Sequence, residues 1–226
     1  QLLDPFVNED KDSAFTASLI EKDEKKRRLY MKKLRFKEFI SDSNSIKYIN
    51  LKDALLYAKS DDKEENSIKY KQDEYIYKLY SPKGHIGYSK LKVSDDKFIG
   101  LVKWGSGAGN TILCEAETSV VWTMGALIAK KNYSIKYFFY KLNYQFFHKF
   151  ISTSTTPNLY YNDFSEELIQ TPSYAEQEKI GGFLSTFDEL IEKQQDKIGL
   201  LKELKKGYLQ KMFPKNDANV PEIRFK

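Results

Sequence analysis

A proline-bounded segment near the C-terminus, residues 172–214, constrains the fold more than any other part of the sequence. Steps of four and three residues from Ile180 give ten positions: Ile180, Leu184, Phe187, Ile191, Gln194, Ile198, Leu201, Lys205, Tyr208 and Met212. Apolar residues occupy eight of them, and this spacing is that of a coiled-coil seam. A helix of roughly 40 residues would reach about 60 Å, which exceeds the diameter of a domain of ~150 residues. We therefore expect one long helix that packs against another long helix.

The ends of this helix are marked in the sequence. Pro172 and Ser173 precede Glu176 with the spacing of a capping box, and Pro214 cannot continue a helix. The glycines within it each weaken the helix by up to about 1 kcal/mol relative to alanine, so burial against a partner must supply stability. An ordinary core helix is the alternative, which the length disfavours. The predicted helix-pairing residues are Ile180, Leu184, Phe187, Ile191, Ile198, Leu201, Tyr208 and Met212.

The composition is that of an ordinary globular chain, with 226 residues of which 41% are hydrophobic and 31% charged. No apolar run approaches the ~20 residues of a membrane span, and the first residues lack the basic start and apolar core of a secretory signal. The single cysteine, Cys114, excludes an internal disulfide and a multi-cysteine zinc site, and we expect it to be buried. A cytoplasmic location is expected.

Positive charge is unevenly distributed along the chain. The net charge is +5, yet the helical segment carries seven acids and seven bases, and residues 118–162 contain no acid. The lysines in this acid-free stretch are Lys130, Lys131, Lys136, Lys141 and Lys149. A solvated lysine face is the alternative, but the asymmetry favours a nucleic-acid partner for the globular part.

Residues 34–171 alternate between helical and strand patterns, which favours an α+β domain. Helices are predicted at Leu51–Ala58 and Ser134–Phe150, and strands at Glu74–Tyr80, Ile86–Ser89, Lys97–Lys103 and Thr111–Cys114. Residues 1–33 are interpreted as an N-terminal extension that is helical from about Ser13 to Lys33. Residues 215–226 form a C-terminal tail.

Two polar loops are candidates for contacts with a phosphate backbone or with base edges. Gly105–Asn110 follows a predicted strand, and its glycines would let backbone N–H groups approach a phosphate. It lacks the lysine and hydroxyl residue of a P-loop, however, and a tight loop is the alternative. Ser152–Asn158 supplies hydroxyls and an amide, or it simply caps the preceding helix. The sequence has no Asn/Asp-Pro-Pro-aromatic element of an adenine methyltransferase, so we expect no catalysis from this chain.

Several segments resemble type I restriction-modification specificity subunits. Within the helix they are Pro172, Glu176–Ile180, Phe183–Leu184, Asp188, Ile191 and Lys206–Phe213. Leu34–Phe39 resembles the opening of a target recognition domain, and Pro221–Phe225 resembles a second copy of that opening. The resemblance implies an α+β fold: a globular mixed α/β target recognition domain at 34–171, followed by a long C-terminal coiled-coil helix at 172–214 that serves as spacer and dimerisation element. The chain would be one such unit, either a half-subunit or a fragment.

The resemblance also implies a non-catalytic subunit that recognises a bipartite DNA target and positions other subunits on it. Implied partners are double-stranded DNA, methyltransferase subunits, a restriction subunit and, for a half-subunit, a second copy of the chain. S-adenosylmethionine, ATP and Mg would bind to partner subunits, with no cofactor or metal in this chain. The alternatives are the specificity segment of a fused type II-like restriction-methylation enzyme and a non-DNA coiled-coil scaffold. The predicted DNA-binding residues are Lys83, His85, Lys90, Lys103, Ser106, Asn110, Lys130, Lys131, Lys149, Ser152, Thr153, Ser154, Thr155 and Asn158.

Overall fold

The structure, a computed structural model, describes residues 36–39, 46–63, 67–152, 155–213 and 220–224. The chain divides into two compact units, Gln1–Ile46 and Lys47–Lys226. In the first unit a 3₁₀ turn spans Lys37–Phe39, while the helix predicted at about Ser13 to Lys33 lies outside the described residues.

The second unit contains both the strands and the helices of an α+β fold. Its strands are β1 (Lys47–Asn50), β2 (Leu55–Lys59), β3 (Tyr77–Ser81), β4 (Gly84–Ser89), β5 (Phe98–Val102), β6 (Thr111–Cys114), β7 (Thr118–Val120), β8 (Met124–Ala129) and β9 (Leu168–Thr171). Its helices are α1 (Leu51–Ala54), α2 (Ile135–Lys141), α3 (Tyr144–His148), α4 (Tyr161–Ser165) and α5 (Tyr174–Met212). The predicted fold class, including the long C-terminal helix, is confirmed.

The described strands of this unit form three sheets. The largest has the antiparallel order β2-β8-β5-β6, with Phe98 opposite Ile128 and Cys114. In the second, β3 lies between an antiparallel β4 and a parallel β7, and the third pairs β1 with β9. The last pairing joins the start of the unit to the strand that leads directly into α5.

The central strand β5 is buried on both faces and separates two hydrophobic cores. Ile99 and Leu101 pack in a core with residues of α1 to α4, whereas Phe98 and Val102 pack in a second core with Leu79 of β3. Alternate side chains of a strand point to opposite faces, so helices cover one face of the four-stranded sheet and the three-stranded sheet covers the other.

Two predicted helices are shorter than the sequence indicated. The Leu51–Ala58 prediction is wrong in its second half, because α1 ends at Ala54 and the strand β2 follows, with Leu55 buried and Leu56 53% exposed. Pairing of β2 with β8 outweighs the local helical pattern. The predicted Ser134–Phe150 helix is two helices, since the Asn143 side chain accepts a hydrogen bond from the Phe146 N–H and so starts α3 afresh.

Helix α5 begins as the capping pattern predicted. The Ser173 hydroxyl accepts a hydrogen bond from the Glu176 N–H, and the helix then runs for 39 residues. Only its first turns are covered by the globular part, where Glu176, Gln177 and Gly181 are buried. The length of α5 beyond this contact is exposed in the single chain.

The first turns of α5 are docked on α2 by specific contacts. The Gln177 side chain accepts a hydrogen bond from the Ser134 N–H at 3.0 Å and donates one to the Pro172 carbonyl at 2.9 Å. Further along, the Tyr140 hydroxyl donates to the Asp188 carboxylate at 2.5 Å. At Gly181 the two helices approach so closely that a side chain would collide with the backbone of α2. These contacts fix the direction in which α5 leaves the globular part.

Candidate nucleic-acid interface

The glycine-containing loop after β5 is a tight, internally bonded turn. Gly105 and Gly109 have φ values of +90° and +89°, which favour glycine. The N–H groups of Ala108, Gly109 and Asn110 donate to carbonyls of Gly105, Val102 and Gly107. These three amides are therefore used within the loop and do not point at a phosphate, whereas the side chains of Ser106 and Asn110 are exposed.

Loops from distant parts of the chain meet around Lys103, at the end of β5. The Lys103 N–H donates to the Thr123 carbonyl, and the Lys103 carbonyl accepts from the Leu159 N–H, each at 2.9 Å. Two residues further along, the Gly105 N–H donates to the Pro157 carbonyl at 2.9 Å. The β7–β8 turn and the polar segment before α4 thus flank the glycine loop. We call the surface around Lys103, Gly105, Thr123 and Pro157 the loop site.

A buried carboxylate holds the 60–63 segment against the loop site. Asp62 is 5% exposed, and its side chain accepts hydrogen bonds from the hydroxyls of Ser89 and Ser119. Its backbone carbonyl accepts from the Trp122 N–H at 2.7 Å. A buried carboxylate needs such donors, so Asp62 links β4, β7 and the β7–β8 turn, and its charge points into the protein.

Lys103 has an unusual environment for a lysine. It is half-buried, and its pKa is lowered by desolvation and by the nearby charge of Lys59, with Asp61 opposing the shift. Within the described part of the chain neither Lys59 nor Lys103 forms an ion pair within 4 Å, unlike Lys90 and Lys149. A phosphate beside these two ammonium groups would offset their repulsion.

Residues that the sequence reasoning missed also belong to the loop site. Trp104 follows Lys103 and Trp122 lies on the β7–β8 turn, and their ring centroids are 6.3 Å apart. Lys59, at the end of β2, is exposed. It lies close enough to Lys103 for its charge to lower the pKa of that lysine. The sequence carried one usable signal, because each tryptophan comes within two residues after a run rich in β-branched or apolar residues, Phe98–Val102 for Trp104 and Ser119–Val121 for Trp122.

The predicted residues Lys83, His85 and Lys90 lie on or beside the β3–β4 hairpin, which belongs to a different sheet from β5 and the glycine loop that follows it. The His85 ring packs edge-on against Tyr80 and Tyr88. Lys90 is bound to Glu74 at 2.6 Å. Exposed pairs of this kind contribute little stability, but Lys90 presents less free charge than its sequence position suggested.

A third group of predicted lysines lies near the junction of α1 and α4. Lys130 donates to the Lys52 carbonyl at 2.7 Å, and Lys149 pairs with Glu167 while lying over the Phe150 ring. Lys131 is exposed on the adjacent turn. The acid-free stretch is therefore flanked in space by acids from 166–167, which sequence distance concealed.

The polar run before α4 is only partly described. Thr153 and Ser154 lie outside the described residues, and Thr155 is exposed. Ser152 and Asn158 pair through their backbones, and Asn158 also bridges to Trp104. The Asn158 Oδ1 atom is buried without a hydrogen-bond partner among the described residues. That oxygen would reach a base edge only after a loop rearrangement.

The predicted helix-pairing residues form a largely exposed seam along α5. Ile180 and Leu184 are partly covered by the globular part. Exposed members are Phe187 48%, Ile191 55%, Ile198 51%, Leu201 55% and Tyr208 49%, and Met212 is half-buried. The last turns also line an apolar groove of about 560 Å³ with Ile223, whose N–H donates to the Lys211 carbonyl. An apolar stripe of this length is characteristic of a surface that a partner covers.

One further prediction concerns the single cysteine. Cys114 is fully buried, as expected, and burial raises the pKa of its thiol to about 12. In the part of the chain that the structure describes, His, Cys, Asp and Glu side chains form no cluster able to hold a metal ion. No helix among the described residues is long and apolar enough to cross a membrane.

A layered α+β domain carries the loop site and projects a long helix, and this combination defines the structural class of the protein. The type I restriction modification DNA specificity domain matches residues 19–202, most of the chain. The chain therefore belongs to this family. No curated protein matches it.

Solved structures show the same fold. The S subunit of a type I restriction-modification system from M. genitalium has 19% sequence identity and a TM-score of 0.61, with 76% of this chain and 47% of that chain covered. A chain from a study of complex assembly and conformational transition of the type I R-M system has 15% identity and a TM-score of 0.52, covering 92% and 59%. The HsdS subunit from Thermoanaerobacter tengcongensis has 13% identity and a TM-score of 0.50, covering 76% and 45%. The chain spans about half the length of these proteins.

Proposed function

We propose that this chain is a DNA-recognition unit of a type I restriction-modification complex. The globular part reads one half of a bipartite DNA target, and α5 joins it to a second unit and to methyltransferase subunits. The observation that carries this proposal is α5 itself. It is 39 residues long, anchored by its first turns and apolar along an exposed seam, in a chain that matches the specificity-domain family.

In this proposal α5 sets the distance between two DNA-reading domains. At 1.5 Å per residue it measures about 60 Å, and its docking on α2 fixes its direction through Gln177, Gly181 and Tyr140. Pairing with the antiparallel helix of a second unit would cover the seam. The second unit is a second copy of this chain if the natural subunit is a half-subunit.

The chemistry of modification and cleavage belongs to partners in this proposal. The methyltransferase subunit supplies S-adenosylmethionine and the restriction subunit supplies ATP and Mg, while this chain contributes recognition and positioning.

The test uses two matched substitutions on α5. Ile198 lies on the seam and is 51% exposed, whereas Leu200 lies two positions away, off the seam, and is 67% exposed. Since both side chains are exposed in the single chain, Ile198→Asp and Leu200→Asp should fold equally well. Ile198→Asp should abolish helix pairing, because a carboxylate would be buried in an apolar seam.

Measurements are made on the full chain co-expressed with the methyltransferase subunit. Light scattering gives the assembly mass, fluorescence anisotropy gives affinity for duplex DNA, and mapping of methylated adenines gives the target. We expect Ile198→Asp to lose assembly and bipartite methylation while Leu200→Asp keeps both. Equal behaviour of the two variants would contradict the helix-pairing role, and wild-type protein that neither binds DNA nor supports methylation would contradict DNA recognition.

A further inference from the structure

Two exposed indoles lie side by side in the loop site. Trp104 is 40% exposed and Trp122 is 48% exposed, with ring planes tilted by 48° at a centroid separation of 6.3 Å. Single exposed apolar residues are common on protein surfaces, but adjacent large aromatic residues in one loop cluster mark a contact surface. An indole offers a broad apolar face together with one N–H donor, which suits a partner of mixed polarity.

Both indoles stand on firmly held backbone. The Trp122 N–H donates to Asp62, whose side chain is itself buried and bonded to two serines. Trp104 lies between two bonded amides, those of Lys103 and Gly105. A pre-positioned aromatic surface loses little conformational entropy when it binds, which favours recognition over chance exposure.

The charged groups around the indoles favour an anionic partner. Lys59 lies opposite Gly125 at the start of β8, two residues after the Thr123 carbonyl that binds the Lys103 N–H, and its charge acts on Lys103. Neither lysine forms an ion pair within 4 Å in the described part of the chain. Of the described acids in the adjoining 60–63 segment, Asp61 is exposed, whereas the carboxylate of Asp62 is buried and bonded to serine hydroxyls. Among the described residues, Lys59 and Lys103 therefore supply positive charge at this surface that no ion pair within 4 Å offsets.

We propose that Trp104 and Trp122 contact duplex DNA directly and lie against the apolar edges of its bases and sugars, while Lys59 and Lys103 bind the adjoining phosphates. This inference rests on the proposed function and adds to it the residues that make the contact. Apolar side chains distinguish thymine by its methyl group, so the indoles contribute to sequence preference. The lysines contribute affinity that does not depend on sequence.

The chain offers a direct probe of this surface, because its only two tryptophans are Trp104 and Trp122. Fluorescence excited at the red edge of indole absorption, where tyrosine does not absorb, therefore reports on the loop site alone. The full chain is assembled with a variant of the methyltransferase subunit that contains no tryptophan, and duplex DNA is added to this assembly. Acrylamide quenching is measured with and without DNA. We expect DNA to change the emission and to protect both indoles from acrylamide.

Substitutions separate DNA contact from structural support. Trp104→Ala and Trp122→Ala should each weaken DNA binding by roughly tenfold, and the corresponding phenylalanine variants should recover part of that loss. Tyr48→Ala, at an aromatic residue 58% exposed on β1, is the control and should bind as the wild type does. Far-UV circular dichroism and thermal melting check that each variant is folded.

The outcomes distinguish this inference from the proposed function. One outcome would overturn the inference while leaving DNA recognition in place. In that outcome the assembly binds DNA, but the tryptophan emission and quenching do not change and the alanine variants bind DNA as tightly as the wild type. Protection of the indoles by the methyltransferase subunit alone, without further change on adding DNA, would assign the surface to a protein partner and also overturn it. Complete absence of DNA binding would overturn both proposals.

Discussion

Adjacent glycines on α5 should respond in opposite ways to the same substitution. A Cβ atom at Gly181 would lie 2.8 Å from the Lys136 Cβ and 2.9 Å from the Tyr137 backbone nitrogen, whereas a Cβ at Gly182 would have nothing within 4 Å. Alanine at either position gains up to about 1 kcal/mol of helix propensity. At Gly181 the gain is opposed by overpacking, which costs about 1–3 kcal/mol in a well-packed core.

The propensity gain is common to the two variants, so it cancels in their comparison. Gly182→Ala should be stabilised by about 0.5–1 kcal/mol. Gly181→Ala should be less stable than Gly182→Ala by about 1–3 kcal/mol, because the obstructing atoms are backbone and Cβ atoms that cannot rotate away. The measurement is the free energy of urea unfolding, followed by circular dichroism with unchanged m-values.

Two precautions make the comparison decisive. All variants are measured at one protein concentration, because association through α5 would add stability. Gly199→Ala provides a second control, since a Cβ there also meets nothing within 4 Å and the position is far along the helix from α2. Equal stabilisation of all three variants would show that α5 is not docked on α2 at Gly181, and the account of its fixed direction would be wrong.

Three further predictions concern charge, ionisation and docking. Lys103→Met should lower the steepness of the plot of log K for DNA against log salt by about 0.9, as the loss of one phosphate contact predicts. Lys149→Met should have a smaller effect, because Lys149 is paired with Glu167. Equal slopes for the two variants would contradict DNA binding at the loop site. Burial raises the pKa of the Cys114 thiol from 9.0 to about 12, so the thiol of the unfolded chain ionises first as pH rises. The free energy of unfolding should therefore fall between pH 9 and about 12, by up to about 1.4 kcal/mol per pH unit. Cys114→Ala should remove this pH dependence in urea titrations at several pH values. Tyr140→Phe removes the hydroxyl that donates to Asp188 and should destabilise the chain by about 1 kcal/mol, and an unchanged unfolding free energy would show that this bond does not form.

The sequence predicted the fold best where all the local signals indicated the same element. Helix α5 has a capping serine, a heptad pattern that is apolar at eight of ten positions and a terminating proline. Its observed bounds lie within about two residues of the predicted ones, the usual uncertainty of a helix end. Leu51–Ala58 was harder, because its leucines and alanines follow a helical pattern although the second half of the segment forms the edge strand β2. The pairing of β2 with β8 decides the outcome, and no local pattern reports the presence of that partner.

The loop site was predicted only in part, since its members come together through pairings between distant segments. Lys103, Ser106 and Asn110 share one loop, so a local motif was enough to select them. Trp122 joins them only because the Lys103 N–H donates to Thr123, and Lys59 joins them only because β2 ends beside that turn. Conversely, Lys149 looked free within an acid-free stretch, but Glu167 approaches it in space. A count of charges along the sequence therefore overestimates the positive charge of the surface near α4 and overlooks Lys59. The ion pairs in the fold are the better guide to which lysines remain available to bind phosphate.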